Sequence, residues 1–485
     1  MISRRTVSLL LGSIGILAVS PQVMAQRGSP RMEFGGRSID AMIADFMSEN
    51  GIPGMALAIV QAPYIPRVTG YGLADTDKQL LVGSNTLFDV AQMADAFTAV
   101  AIMQLVEAGK FRLDDPIGRH LHDLPGAWRT VTLRNLLQHA SGIPDYTHVS
   151  TYDPTHSYSL ASLTALIGSK PLAFQPGHDI ADSATDYALL VQLVSAASGQ
   201  RYSDFIRRNQ FERLGLSHTL FADQLEHVKR EKVELNSNRH KHFLAEAALI
   251  NPTEPATGYR SSNDRLIPAS AVLPNGSILA SAMDVSIWDI GLAGGILVND
   301  PGLRAILYQP GKLADGRSVP VMGGWRFPGR KGLMYITGNG HGYSAFLSRF
   351  TDPSELVCVT LLANREGVDL TQLARQIAGA YDKQLGPPTV EGTRMQQSPY
   401  SVPQTLERFE AVLRAENITI APHGDDATEA NRITFTDPAA ANQTIRATVW
   451  QDAGQVWLGY VEPMAPANSL RAQLDRMILQ AVTPY

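Results

Sequence analysis

Cysteine is nearly absent. One thiol, Cys358, in 485 residues excludes an internal disulfide and any cysteine-built metal site. It sits in the apolar run Leu356-Val357-Cys358-Val359-Thr360-Leu361-Leu362, where a buried strand thiol is a simpler reading than a reactive one. A basic surplus is also missing: the net charge of −5 leaves no electrostatic footprint for nucleic acid. Lysine disappears altogether from residues 385–485, where seven arginines face eleven acidic residues, a local net of −4. Long apolar runs are lacking, so no segment after the N-terminus reads as a membrane span. No internal repeat is visible.

What is present begins with an address. Arg4 and Arg5 precede the apolar stretch Val7–Val19, and Val23-Met24-Ala25 supplies small residues at the positions a signal peptidase reads. Residues 1–25 are therefore expected to be a secretory signal, and the arginine pair allows the twin-arginine route. Cleavage removes only Arg4 and Arg5 and takes the net charge from −5 to −7. The expected product is a periplasmic or secreted protein. Residues 26–36, rich in Gly, Arg and Ser, read as a linker.

From Ser38 the apolar residues Ile39, Met42, Ile43 and Phe46 recur at helical steps. Gly51-Ile52-Pro53-Gly54 ends that helix, and Met55–Val60 reads as a buried strand. A long helix is predicted from near Gln92 to Gly109, a good C-cap residue. Residues 112–270 look helical and loop-rich, strands return over 331–364, and a helix over 370–384 leads to Gly386-Pro387-Pro388. This order predicts an α/β (α+β) fold with an antiparallel sheet, flanking helices and a helical subdomain.

A set of short motifs occurs in a fixed order along this stretch. Phe88-Asp89-Val90-Ala91 opens the long helix, and Leu113-Asp114-Asp115-Pro116 follows it. Next come Leu136-Leu137-Gln138-His139-Ala140-Ser141-Gly142-Ile143 and Phe174-Gln175-Pro176-Gly177, then Gly215-Leu216-Ser217-His218-Thr219. Gly342-Tyr343-Ser344-Ala345 and Leu361-Leu362-Ala363-Asn364 close the series. Together these resemble the class C β-lactamases and related penicillin-binding serine hydrolases, over roughly residues 38–384. The resemblance implies a β-lactamase/transpeptidase-like domain over 37–384, with no cofactor.

It also implies where the chemistry should sit. Such enzymes carry Ser-x-x-Lys at the start of the buried helix, where the lysine helps to activate the serine. The matching positions here are Gln92 and Asp95. Their Tyr-x-Asn motif falls on Asp182-Ser183-Ala184, so Asp182 replaces the tyrosine and Ala184 the asparagine. Their Lys-Thr-Gly or His-x-Gly strand motif falls on Ile336-Thr337-Gly338, so Ile336 replaces the cation. Five changes across three motifs predict the loss of serine acyl transfer. Gln92, Asp95, Asp182, Ser183, Thr337 and Gly338 are the expected lining of the old pocket. Ser141 and Ser183 read as structural rather than as replacement nucleophiles.

The leading expectation is a β-lactamase-related pseudoenzyme that binds a peptidoglycan fragment, peptide or small molecule. In the alternative, Asp95 and Asp182 lie close, share a proton or hold a cation, and run altered hydrolytic chemistry. The simpler reading has Asp95 favouring the helix dipole and Asp182 facing water. His139 and His178 are not expected to join that pair, and no metal site is expected.

Residues 385–397 read as a second linker and 398–485 as a small α+β domain. Ser401 and Gln404 form a capping-box pattern with Pro403 in the first turn. Ile418–Ile420, Ile433–Phe435, Ile445–Trp450 and Val456–Tyr460 read as strands, the last two as a hairpin turning at Ala453-Gly454. Leu470, Leu474, Met477 and Ile478 give a closing helix. This part resembles a widespread small α+β family of unknown function, with Pro422–Asp426 replacing its usual Asp-His stretch. It could serve a protein partner, with the first domain as its carrier. Trp450, Trp457 and Tyr460 read as packing residues before a binding patch.

Overall fold

A computed structural model describes residues 32–61, 64–153, 158–227, 255–261, 264–266, 276–327, 333–350, 357–382, 385–386, 393–420, 432–436, 444–452, 455–461 and 468–483. The signal, the Ala453-Gly454 turn, the Pro422–Asp426 stretch and Pro387-Pro388 lie outside these residues.

Eight antiparallel strands form the main sheet. In spatial order they are Val321–Met322, Trp325–Arg326, Leu333–Gly340, Tyr343–Phe350, Val357–Ala363, Gly54–Gln61, Tyr64–Asp75 and Leu80–Leu81. Alternation along the central strands builds two cores, because successive side chains leave opposite faces. Met55, Leu57 and Ile59 join Val357, Val359 and Leu361 on one face, under the helices Ile39–Asn50 and Thr371–Tyr381. Ala56, Ala58 and Leu362 face the other way, into the larger core with Phe97, Trp288 and Tyr187. Cys358 is buried on its strand, 6% exposed.

The helix Ala94–Glu107 runs through the larger core, and ten of its fourteen residues are buried. A helix apolar on every side belongs in an interior. It begins after the single 3₁₀ turn Ala91–Met93, two residues past the expected start, and Gly109 follows its end at φ 69°. Its small residues admit close neighbours: a Cβ added to Gly324 would lie 2.8 Å from the Ala96 nitrogen. Helices Leu133–Leu137, Leu160–Ile167 and Ala184–Ser198 lie in the helical middle.

Two expected linkers carry regular structure. Within 26–36, Glu33–Phe34 pairs with Arg37–Ser38 as a short hairpin. Within 385–397, Thr393–Ser398 is a strand, paired along its whole length with Gln455–Val461. Neither segment shows an alternating apolar pattern, so neither reads as a strand in the sequence; the second is an edge strand held by backbone pairing.

The C-terminal residues form their own four-stranded antiparallel sheet, ordered Thr393–Ser398, Gln455–Val461, Thr444–Asp452, Arg432–Thr436. Helices Val402–Ala415 and Asn468–Val482 pack on it around Phe409, Leu413, Phe435, Val449, Leu458 and Met477. The Ser401–Gln404 capping box is present. Ile418–Ile420 is not a strand; Ile420 makes a single bridge to Phe435. Trp450 pairs with Trp457 in the ladder, and the Trp457 side chain is buried.

Candidate functional site

A cavity of about 410 Å³ opens between the start of the buried helix, the loop after Leu133–Leu137, the start of Ala184–Ser198 and the edge of the main sheet. Gln92, Asp95, Asp182, Ser183, Ala184 and Thr337 line it. Gly338 does not. Strand alternation turns Thr337 and Asn339 toward the cavity, while Ile336 joins the apolar core and Gly338 packs beneath. A Cβ on Gly338 would stand 2.0 Å from the Val90 carbonyl oxygen, so the missing side chain lets sheet and helix meet.

His139 sits at the centre, contrary to expectation. Thr132 and Asn135 cap the Leu133–Leu137 helix reciprocally, and the chain then passes through His139 at φ 53°. This left-handed conformation is uncommon outside glycine, and histidine tolerates it better than most residues. The His139 carbonyl accepts from Ala181 N–H at 2.9 Å, and Ala140 accepts from Gly177 N–H at 2.7 Å. These bonds lace the Leu-Leu-x-His loop to the segment carrying Asp182. His139 Nε2 lies 3.2 Å from Asp182 Oδ1, and Nδ1 lies 3.2 Å from Asp186 Oδ2. Sequence spacing could not show this, since the decisive feature is a backbone angle. His178 is exposed and stands apart, beside the Pro176 carbonyl.

Asp182 does not simply face water. Arg326 donates to its Oδ2 at 2.8 Å, although the carboxylate side chain remains 42% exposed. Burial pushes Asp182 upward, but Arg326 and then His139 outweigh it and hold the carboxylate below its ordinary value. Asp95 moves the other way. Burial lifts it to about 7, opposed by His139 and reinforced by Asp182. The two carboxyls therefore do not behave as an equal pair: one is held ionised, and the other titrates near neutrality.

Asp186, fully buried in the first turn of Ala184–Ser198, is raised to about 6 by burial, against its hydrogen bond to His139. It also accepts from Ser141 Oγ at 2.5 Å. Burial works to lower His139, yet Asp182 and Asp186 outweigh it and raise the imidazole above its usual value. Ser141 is committed to Asp186, and Ser183 Oγ donates to the Ile143 carbonyl at 3.1 Å. Gln92 Oε1 accepts from the Asn339 backbone N–H at 2.6 Å. Asp145, Tyr146, Tyr187 and Arg326 also line the cavity; the sequence offered no signal for Arg326, which reaches the site from a two-residue strand. Among the described residues, no group of three or more His, Cys, Asp or Glu is placed to hold a metal ion.

Comparison with known proteins places this architecture. The Beta-lactamase family profile matches residues 39–382. Protein flp of Staphylococcus aureus (strain MRSA252) is 22% identical over 343 residues, covering 68% of this chain and 62% of that protein. Penicillin-binding protein 4* of Bacillus subtilis (strain 168) is 23% identical over 304 residues, 61% of this chain and 64% of its own length. This chain thus spans under two thirds of either relative. The octameric penicillin-binding protein homologue from Pyrococcus abyssi superposes with a TM-score of 0.58 at 19% identity, covering 87% of this chain and 99% of that one. With its profile matched across most of the chain and its sheet built in the same way, this protein belongs to the Beta-lactamase family.

Proposed function

We propose that the chain is a non-acylating member of its family, exported to the cell envelope, where the cavity binds a ligand in a regulatory or sensing role. The observation that carries this reading is the Gln92–Asn339 hydrogen bond. Acyl transfer needs an activated nucleophile and backbone donors free to meet the developing oxyanion. Here an amide occupies the nucleophile's position, and its own carbonyl oxygen takes the backbone donor facing it. Among the described residues, no lysine lines the cavity. Its volume suits a small organic ligand such as a peptidoglycan fragment or short peptide. The expected signal over 1–25 and relatives named for penicillin binding support an envelope setting.

The test is covalent labelling. Purified protein is incubated with a fluorescent penicillin and with a serine-directed phosphonate, then read by intact mass. The expected result is no adduct; an adduct on any serine overturns the reading.

A second reading keeps an enzyme, using Asp95 and Asp182 with His139 between them. It is favoured by the opposite displacement of the two carboxyls, the arrangement that separates an acid from a base. Under that reading Asp95→Asn and Asp182→Asn each change the pH profile of any hydrolysis found; unchanged profiles remove it.

A further inference from the structure

Arg326 lines two cavities. One is the candidate site, where its Nη2 meets Asp182. The other, about 30 Å³, lies between the main sheet and the C-terminal sheet, walled by Arg326, Tyr335 and Phe346 on one side and Gln397, Trp457 and Val482 on the other. That volume holds about one water molecule, so the two surfaces are closely fitted.

Strand pairing fixes the Arg326 backbone, which is laddered to Val321 on one side and Tyr335 on the other. The ladder leaves the course of the long side chain to packing. Trp325 is fully buried toward the core, and the C-terminal residues close the other flank.

Those residues are clamped by Arg375 of the Thr371–Tyr381 helix, itself 6% exposed. Arg375 donates from Nε to the Leu385 carbonyl at 2.9 Å and from Nη1 to Gln397 Oε1 at 2.6 Å. Its guanidinium lies over the Trp457 ring, 5.5 Å from the centroid. Gln396 Nε2 adds a bond to Asp369 at 2.9 Å.

We propose that docking of the C-terminal sheet sets the charge of the candidate site through Arg326: docked, the sheet holds the guanidinium on Asp182; undocked, it lets it go. Arg326 is a positioning residue in this scheme, and the proposal holds under either functional reading. Around Asp182 stand Arg326 from the sheet edge, His139 from the loop after Leu133–Leu137, Asp95 from the buried helix and Asp145 from the loop before Tyr146, with Asp186 of Ala184–Ser198 behind His139, against its Nδ1. Of these, Arg326 is the group in the wall shared with the C-terminal sheet. Its charge lowers both Asp182 and Asp95, so its release moves both upward. By linkage, a ligand that draws Asp182 away from Arg326 also alters docking.

The experiment titrates aspartate side-chain carboxyls by ¹³C NMR in the full chain, for the native protein, Arg326→Gln, Arg375→Met and Trp457→Ala, with small-angle scattering to report docking. Arg326→Gln is expected to raise the Asp182 midpoint by about one unit. Arg375→Met and Trp457→Ala are expected to expand the particle and raise that midpoint in the same direction by a smaller amount. Two docking variants guard against one failing to fold. Expansion without any shift overturns the proposal. So does an Asp182 midpoint unmoved by Arg326→Gln, or one that rises in docking variants that stay as compact as the native chain.

Discussion

Gln92 Oε1 and the Asn339 backbone N–H are joined at 2.6 Å across the mouth of the candidate site. The bond ties the first turn before the buried helix to the strand that would face a substrate. It makes residue 92 part of the wall, not a group waiting to react. Gln92→Ser shortens that side chain and frees the donor, but residue 95 still offers no amine. The expected outcome is no penicillin adduct by intact mass. Because Asn339 is solvent-exposed and water can replace the amide, urea unfolding should show a loss of about 1 kcal/mol or less.

Asp95 predicts a stability that depends on pH. Its folded value of about 7 lies above the ordinary 3.8, so the folded chain holds this proton more tightly than the unfolded chain. The associated stabilisation is complete below about pH 4 and is lost as pH rises through about 7. Asp95→Asn removes that loss. At pH 8 the variant should be more stable than the native protein, with a ceiling of about 4 kcal/mol reduced to about 2 because the cavity admits water. At pH 4 the two should coincide. Denaturant melts at both pH values decide; parallel curves would show that Asp95 is not held as described.

Asp186 supports the site from below. It receives Ser141 Oγ and lies against His139 Nδ1, all three fully or nearly buried. Asp186→Ala takes a buried partner from Ser141 Oγ and from His139 Nδ1 at once and should cost about 3 kcal/mol. Ser141→Ala removes one hydroxyl and should cost about 1 kcal/mol. Asp186→Ala should also lower the His139 midpoint, read from imidazole NMR shifts, because a carboxylate that raises it is gone. Equal losses for the two variants would contradict this ordering.

Gly338 tests the fit between sheet and helix. Alanine there would place a methyl carbon 2.0 Å from the Val90 carbonyl oxygen and 2.9 Å from the Met93 nitrogen, both backbone atoms that cannot swing aside. Gly338→Ala should cost about 3 kcal/mol or prevent folding. If it folds with native thermal stability, the close approach is wrong.

The sheet was legible because its strands carry their own pattern. Met55–Val60 and Val357–Leu362 are apolar runs in which both faces are buried. The long helix was legible for the same reason, with Gly109 marking its end. The candidate site was only half legible. Gln92, Asp95 and Asp182 could be named from their places within motifs, and all three line the cavity. Their states could not, because they depend on two partners outside those motifs. His139 reaches the centre through a left-handed backbone angle, and Arg326 through a tertiary approach 144 residues from Asp182. Gly338 was misplaced for a local reason: alternation puts neighbours Thr337 and Gly338 on opposite faces of one strand. Thr393–Ser398 was missed because an edge strand needs no apolar alternation when its partner supplies the pairing.

Both margins of the main sheet are only two residues long, Val321–Met322 on one side and Leu80–Leu81 on the other. Such stubs offer a second chain almost no ladder on which to zip. Leu80–Leu81 meets its twelve-residue neighbour only at Leu73 and Asp75, so among the described residues any growth of the large sheet from one copy into the next at that margin would start along Tyr64–Thr69 and not on the stub.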